Sequence, residues 1–482
     1  MAQKSLFFYD LETSGINPRS ARIMQFAGQR TDLQLKPIGE SFNIIIKLTD
    51  DVVPEPDAIL ITGITPQQTK ADGISEVEFL KIFSEEVATP GTIFVGFNSV
   101  RFDDEFMRFL QYRNFYDPYE WQWQDERSRW DILDLVRITR ALRPDGINWP
   151  VDSAGKPSNR LELLTSVNEL EHTDAHDALS DVRATIAVAR LIYNKQTKLF
   201  DYLLSLRGKK EVAELVNDGQ AFIYTSGQYP AEFEKTTVVA KIVDQPERQA
   251  ALVFDLRYNP DDYKDKTTVE LAELWRYKKD RTEPRLPVKA LQFNKCPAIA
   301  PLGVLDEASQ KRLSLDLETI QINRKKLAAA KDFPQKILDA LEILNKEQQT
   351  SFLANSTEVD AQLYDGFFSR PDQVLMSAIR AAESNDVMDF QEKLTDPRLK
   401  ALLPLYKARN FPKALSTEER GEWEAYRQHA LSDGGQHSRI YKFFARLEEL
   451  AASKRLTQEQ HYLLEELRLY GESIMPDPDF AD

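Results

Sequence analysis

Residues 5–9, Ser-Leu-Phe-Phe-Tyr, run without a break into Asp10, Leu11 and Glu12. A short apolar run of this kind reads as a strand buried on both faces. Side chains at i and i+2 of a strand share a face, so Asp10 and Glu12 bring two carboxylates to one point where the buried run stops. The fold must therefore cover the apolar residues on both sides and leave the end of the strand open. Taken alone, such a pair more often marks a solvated strand end with two ordinary acids.

The pattern continues as a β-meander, with further strand candidates at 22–30 and 41–48. Val77, Leu80, Phe83 and Val87 recur at helical spacing within 75–87, and 92–97 (TIFVGF) is again a short apolar strand. Helices are expected over 103–115, over 129–142 and after Asp177, giving a mixed α/β unit that ends near 193–198. From residue 236 the composition shifts. TTVVAKIV and AALVFDL read as two strands and PVKALQFNKCPAIAP as a third, a small β-rich unit with helices appended. The polar stretch after Asn345, NKEQQTSFLANSTEVD, reads as a linker, and 359–482 is patterned almost entirely as helix.

At 482 residues with 42% hydrophobic content, the chain has enough apolar surface for several cores, which excludes a disordered or collagen-like protein. A single cysteine, Cys296, excludes an intramolecular disulfide and a structural zinc site of the Cys/His kind. The apolar start is too short for a secretory leader, and no stretch is apolar enough to span a bilayer, so a cytoplasmic protein is expected. The balance of 62 Lys and Arg against 77 Asp and Glu leaves −15, which argues against a protein that coats nucleic acid through bulk positive charge. A local basic channel remains compatible with it.

Two more signals carry chemistry. Asp103, with Asp104 beside it, follows the 92–97 strand in VRFDDEF. Such a pair also suits a helix N-terminus, where the dipole favours acids. His176 and Asp181 stand in HDALSDVRAT, where a loop histidine and an acid one turn into a helix can face one centre. A lone histidine there can also be a cap or core residue. Together, acids in the order D-x-E, FD and H-x-x-x-x-D suit two divalent ions that hold the attacking and leaving oxygens at phosphorus, with a histidine near neutral pKa to take a proton from water.

The set resembles the DEDDh 3′→5′ exonuclease superfamily, with Asp10, Glu12, Asp103 and Asp181 matching its four acids and His176 its histidine. Within it, LITGITPQ, VRFDDE, YRNFYDPY, ALRPDGINWP, AHDALSDV, FNKCPAIA, DAQLYDGFF and ARNFP resemble the exonuclease I family. The resemblance implies an RNase H-like mixed-sheet exonuclease domain (1–197), an SH3-like β-rich domain (198–352) and a helical C-terminal domain (353–482). It implies two Mg²⁺ ions, for which Mn²⁺ can substitute, and processive release of 5′-mononucleotides from single-stranded DNA with a free 3′ end, in DNA repair, recombination and mismatch repair. Asp103 is preferred over Asp104 because it directly follows Phe102, as the family's FD pattern requires.

The resemblance also implies substrate contacts. Arg160 matches the active-site arginine, while Arg108, Tyr119, Trp123 and Arg137 match positions that touch the strand. Arginines neutralise phosphates and aromatic rings stack on bases without choosing a sequence. The plain alternative is that the rings are core residues and the arginines pair with acids. Residues 137–160 hold five cationic residues against two acidic ones, a net +3. Arg143, and with it Tyr202, matches a surface that takes the acidic C-terminal tail of single-stranded DNA-binding protein. A bacterial cytoplasmic monomer with no membrane contact is expected. Two rivals are an exoribonuclease using the same residues and a silent DNA-binding scaffold. The length beyond the first domain favours DNA, and five competent residues argue against silence.

Overall fold

The structure is a computed structural model that describes residues 3–172, 177–278, 284–353, 358–453 and 455–475. His176 lies outside the described residues.

The first sheet is built from β1 (Ser5–Thr13), β2 (Ile23–Thr31), β3 (Pro37–Ile45), β4 (Thr92–Gly96) and β5 (Ser128–Asp131), in the order β3-β2-β1-β4-β5. β1, β2 and β3 pair antiparallel, whereas β4 runs parallel to β1 and β5 parallel to β4. β1 is thus central and is covered on both faces, as its apolar run demands. Leu6 and Phe8 point into one core, and Phe7, Tyr9 and Leu11 into another. The second core is dense in aromatic rings: Phe26, Phe94 and Trp121 lie stacked or edge-on against Phe7 or Tyr9, and Phe79 and Phe83 pack against Phe26. Residues 129–131, expected to open a helix, instead end β5. Asp131 caps the helix Ile132–Leu142 that follows, its side chain accepting from the Leu133 amide.

The second sheet contains β6 (Phe222–Thr225), β7 (Thr236–Gln245), β8 (Ala250–Asp255), β9 (Val288–Gln292) and β10 (Ala298–Pro301), all antiparallel, in the order β10-β6-β7-β8-β9. The segment 287–301, read from sequence as one strand, is two strands on opposite edges of this sheet. The chain breaks between them at Lys295-Cys296-Pro297, where Cys296 has φ 47° and proline supplies no amide hydrogen. One contiguous core joins this sheet to the first domain, including Trp130, Phe200, Phe222 and Leu252.

The expected linker is partly helix, because Phe333–Leu353 runs through its first half and residues 354–357 lie outside the described residues. The remainder is helical: Arg370–Ala381, Pro397–Asn410, Thr417–Ser432, Arg439–Ala451 and Gln458–Ser473. Two features bind it to the first domain. Arg22 and Asp51 meet Asp360 and Arg409 in a buried cluster, with Arg22 to Asp360, Arg409 to Asp51 and Arg409 to Asp360 each at 2.7 Å. Glu105 accepts from Arg108 at 2.5 Å, from Lys295 of the β-rich domain at 3.3 Å and from the hydroxyl of Tyr364, so three domains meet on one carboxylate.

Candidate active site

β1 carries Asp10 and Glu12 to its C-terminal end, opposite Ala27 and Gln25 of β2. The helix Ala178–Lys195 packs across β1 and β2 and presents Asp181 from its first turn. One oxygen from each of Asp10, Glu12 and Asp181 lies within 4.8 Å of the others. Asp103, the first residue of the helix Asp103–Arg113, is buried beside them and raises the pKa of Asp10.

This crowding has a cost that the electrostatics register. Burial, and then the charges of Asp103, Glu12 and Asp181, hold Asp10 well above the usual carboxylate range. Burial, followed by Asp181 and Asp103, pushes Glu12 up to about 9. Burial pushes Asp103 up to about 8. Among the described residues, no lysine or arginine forms an ion pair with Asp10, Glu12 or Asp103. Hard carboxylate oxygens converging without a counter-charge fit a hard divalent cation.

The neighbouring aspartate is placed differently. Asp104 accepts from the hydroxyl of Tyr9 at 2.6 Å and forms an ion pair with Arg129, and it is almost completely buried. Its charge is already compensated.

Two residues at this site carry no motif signal. Gln25 donates to the Asp177 side chain at 3.1 Å and accepts from the Ala178 amide at 3.4 Å, fixing the start of the helix that presents Asp181. His172 sets Nε2 2.5 Å from Asp181 Oδ1, while its Nδ1 lies 3.1 Å from the Thr165 hydroxyl. A single sequence offers no cue for either, since both depend on which elements become neighbours.

The expected strand contacts fall into separate settings. Trp123 is 62% exposed, not a core residue, and Tyr119 is half-buried. Arg108 lies 5.5 Å above the Tyr119 ring and also bonds Gln122 at 2.9 Å. Arg108 and Arg137 each pair with an acid, Glu105 and Asp134 respectively. Arg160, just before the helix Leu161–Val167, extends into solvent, 3.9 Å from Glu162. Arg143 bonds the Val304 carbonyl at 2.9 Å and lies 3.5 Å from Asp306, both in the second domain. Tyr202 packs against the shared core, and burial pushes its phenol up to about 12.

A mixed sheet with acids gathered at the end of its central strand, followed by a five-stranded β unit and a helical unit, defines a three-domain protein with an exonuclease-type catalytic domain. Family models agree in order: Exonuclease over residues 7–189, Exonuclease I SH3-like domain over 207–342 and Exonuclease I C-terminal domain over 357–474. The chain belongs to the exonuclease I family. It is 39% identical to Exodeoxyribonuclease I of Haemophilus influenzae over 98% of this chain and 99% of that one. Its fold matches Escherichia coli Exonuclease I in complex with a dA16 oligonucleotide, with a TM-score of 0.91 and 36% identity over 98% of this chain and 100% of the other. It also matches an ExoI/SSB-Ct complex, with a TM-score of 0.90 and 36% identity over the same shares. Among the described residues no helix is long and apolar enough to cross a membrane.

Proposed function

We propose that this protein hydrolyses single-stranded DNA from its 3′ end, processively, releasing 5′-mononucleotides. The observation that carries the reading is the convergence of Asp10, Glu12 and Asp181 within 4.8 Å at the end of the central strand, with no lysine or arginine among the described residues paired to Asp10 or Glu12. Asp10, Glu12, Asp103 and Asp181 would hold two Mg²⁺ ions, which supply charge stabilisation to the oxygens around phosphorus; Mn²⁺ would serve in their place.

The protein's own residues do the rest. His176 takes a proton from the attacking water as its oxygen bonds to phosphorus. The bond from phosphorus to the 3′ oxygen of the penultimate nucleotide breaks, leaving a new 3′ end and a 5′-phosphate on the released unit. Arg160 stands in solvent, where a phosphate can reach it. Arg108, Tyr119, Trp123 and Arg137 steer the strand toward the acids through phosphate pairing and stacking. The similarity to relatives solved with an oligonucleotide and with SSB-Ct supports DNA as substrate and the acidic tail of single-stranded DNA-binding protein as partner. Arg143 and Tyr202 are the residues assigned to that tail. A monomer working in repair, recombination and mismatch repair in the bacterial cytoplasm completes the reading.

Digestion of 3′- and 5′-end-labelled single strands, with magnesium and with chelator, tests it. Release of labelled mononucleotide from the 3′-labelled strand alone, only with metal, is the expected result. Faster trimming of a matched RNA would reassign the substrate, and an Asp10→Ala variant indistinguishable from the parent would remove the catalytic role.

A further inference from the structure

Gln25 stands opposite Glu12 in the register of β1 and β2, so its side chain lies on the face that carries the acids. It is 4% exposed and uses both ends of its carboxamide. Nε2 donates to Asn43 Oδ1 at 2.8 Å and to Asp177 Oδ1 at 3.1 Å, while Oε1 accepts from the Ala178 amide at 3.4 Å. A carboxylate only accepts and a backbone N–H only donates, so these two neighbours need an amide between them and settle which end faces which.

Asp177 passes this hold on in both chain directions. Its Oδ2 accepts from the Ser180 amide at 3.0 Å and its carbonyl accepts from the Asp181 amide at 3.0 Å, closing the first turn of the helix Ala178–Lys195. On the other side one peptide bond joins it to His176, whose Cα covalent geometry alone keeps about 3.8 Å from its own. Asp177 also stands close enough to Asp10 and Glu12 for its charge to add to theirs. Repulsion from those acids drives it outward, and the bond to Gln25 opposes that drift.

We propose that Gln25 is a positioning residue for hydrolysis: by holding Asp177 against the sheet it sets, from one point, where both His176 and Asp181 enter the site. The inference rests on the proposed function and concerns how the same site is assembled. A plain helix cap needs only the bond from the Ser180 amide to Asp177 Oδ2. The other carboxylate oxygen is spent on the sheet, beside the strand that carries Asp10 and Glu12.

The test exchanges the two partners. Gln25→Glu sets two acceptors face to face, and Asp177→Asn leaves one oxygen for two donors. The double variant Gln25→Glu, Asp177→Asn puts a donor against an acceptor again, keeps an acceptor for the Ala178 amide and preserves net charge, with the Asn43 amide turned over to donate. Turnover and KM on 3′-labelled oligothymidylate at saturating Mg²⁺, hydrogen exchange of the metal-free protein over 178–185 and urea midpoints are measured for the parent and all three variants. The expected result is turnover lower by about tenfold or more in each single variant with KM within about twofold, and faster exchange in the first turn of the helix. Both recover in the double variant to within about threefold of the parent. Parental turnover in both single variants, or losses that multiply in the double variant, overturns the proposal, as does a loss that tracks the urea midpoint. Exchange is read without metal or DNA, so a parent protein that cuts no labelled strand counts against the proposed hydrolysis, whereas exchange that stays fast in the double variant counts against the role of Gln25.

Discussion

Tyr9 donates its phenolic hydrogen to Asp104 at 2.6 Å, and this bond separates two adjacent aspartates into different jobs. Asp104 is committed to Tyr9 and Arg129 inside the aromatic core, whereas Asp103 adds to the uncompensated charge around Asp10. Asp104→Asn is expected to lower stability by about 3–5 kcal/mol, because it leaves the buried Arg129 without its partner. Asp103→Asn is expected to cut turnover at least a hundredfold with little change in unfolding. Urea unfolding and single-strand digestion of both variants check the pair.

The raised carboxyls predict proton release on metal binding. Glu12, pushed up to about 9, holds its proton at pH 7 in the metal-free protein and must give it up to become a ligand. Titration calorimetry with Mg²⁺ in buffers of different ionisation enthalpy should show release at pH 7, and Glu12→Gln should reduce it. The same shift makes the native state the better proton binder. Metal-free stability should therefore fall as pH rises from about 4.3, the ordinary glutamate value, toward about 9, and added metal should restore it.

His172 acts through Asp181. With Nδ1 beside Thr165 and Nε2 on the carboxylate, it fixes the direction in which Asp181 offers its oxygens. His172→Ala should weaken metal affinity by about 10–100-fold, with turnover recovered at high metal concentration. His176→Ala should slow hydrolysis at all metal concentrations and leave strand binding nearly intact. Metal titrations of the two variants distinguish these outcomes.

The interdomain cluster predicts sensitivity to acid. Burial alone would raise Asp360, but Arg409 and Arg22 outweigh it and hold the carboxyl well below the usual range; Asp51 is lowered in the same way. A depressed native pKa gives stability that is present above the unfolded value of about 3.9 and is lost as pH falls through the native one. Urea midpoints should therefore drop below about pH 4. An Asp360→Asn variant should start lower at pH 7 and fall less steeply.

The parts of the fold that depend on local order are readable from sequence. The alternation along Leu6, Phe7, Phe8 and Tyr9 needs only a strand with two covered faces, and the Ser75 to Val87 spacing needs only a helix. The structure gives a helix at Glu76–Ile82 that passes into a π-helical turn at Phe83–Val87. The separation of β9 from β10 was hidden because both halves are apolar and the break is a single turn around Cys296. Gln25 and His172 were hidden because their roles arise only when β2, the helix Leu161–Val167 and the helix Ala178–Lys195 come together. Asp360 and Arg409, remote in sequence from Arg22 and Asp51, gave no sign of a shared cluster for the same reason.

That cluster has a further consequence for how the chain is made. The N-terminal part contributes Arg22 and Asp51, 4.0 Å apart, and the helical part contributes Asp360 and Arg409, 2.7 Å apart. Each part thus carries one charge of either sign. A ribosome delivers the first pair more than three hundred residues before the second. Each pair is neutral by itself, so neither part has to bring a net charge from this cluster to the contact between them.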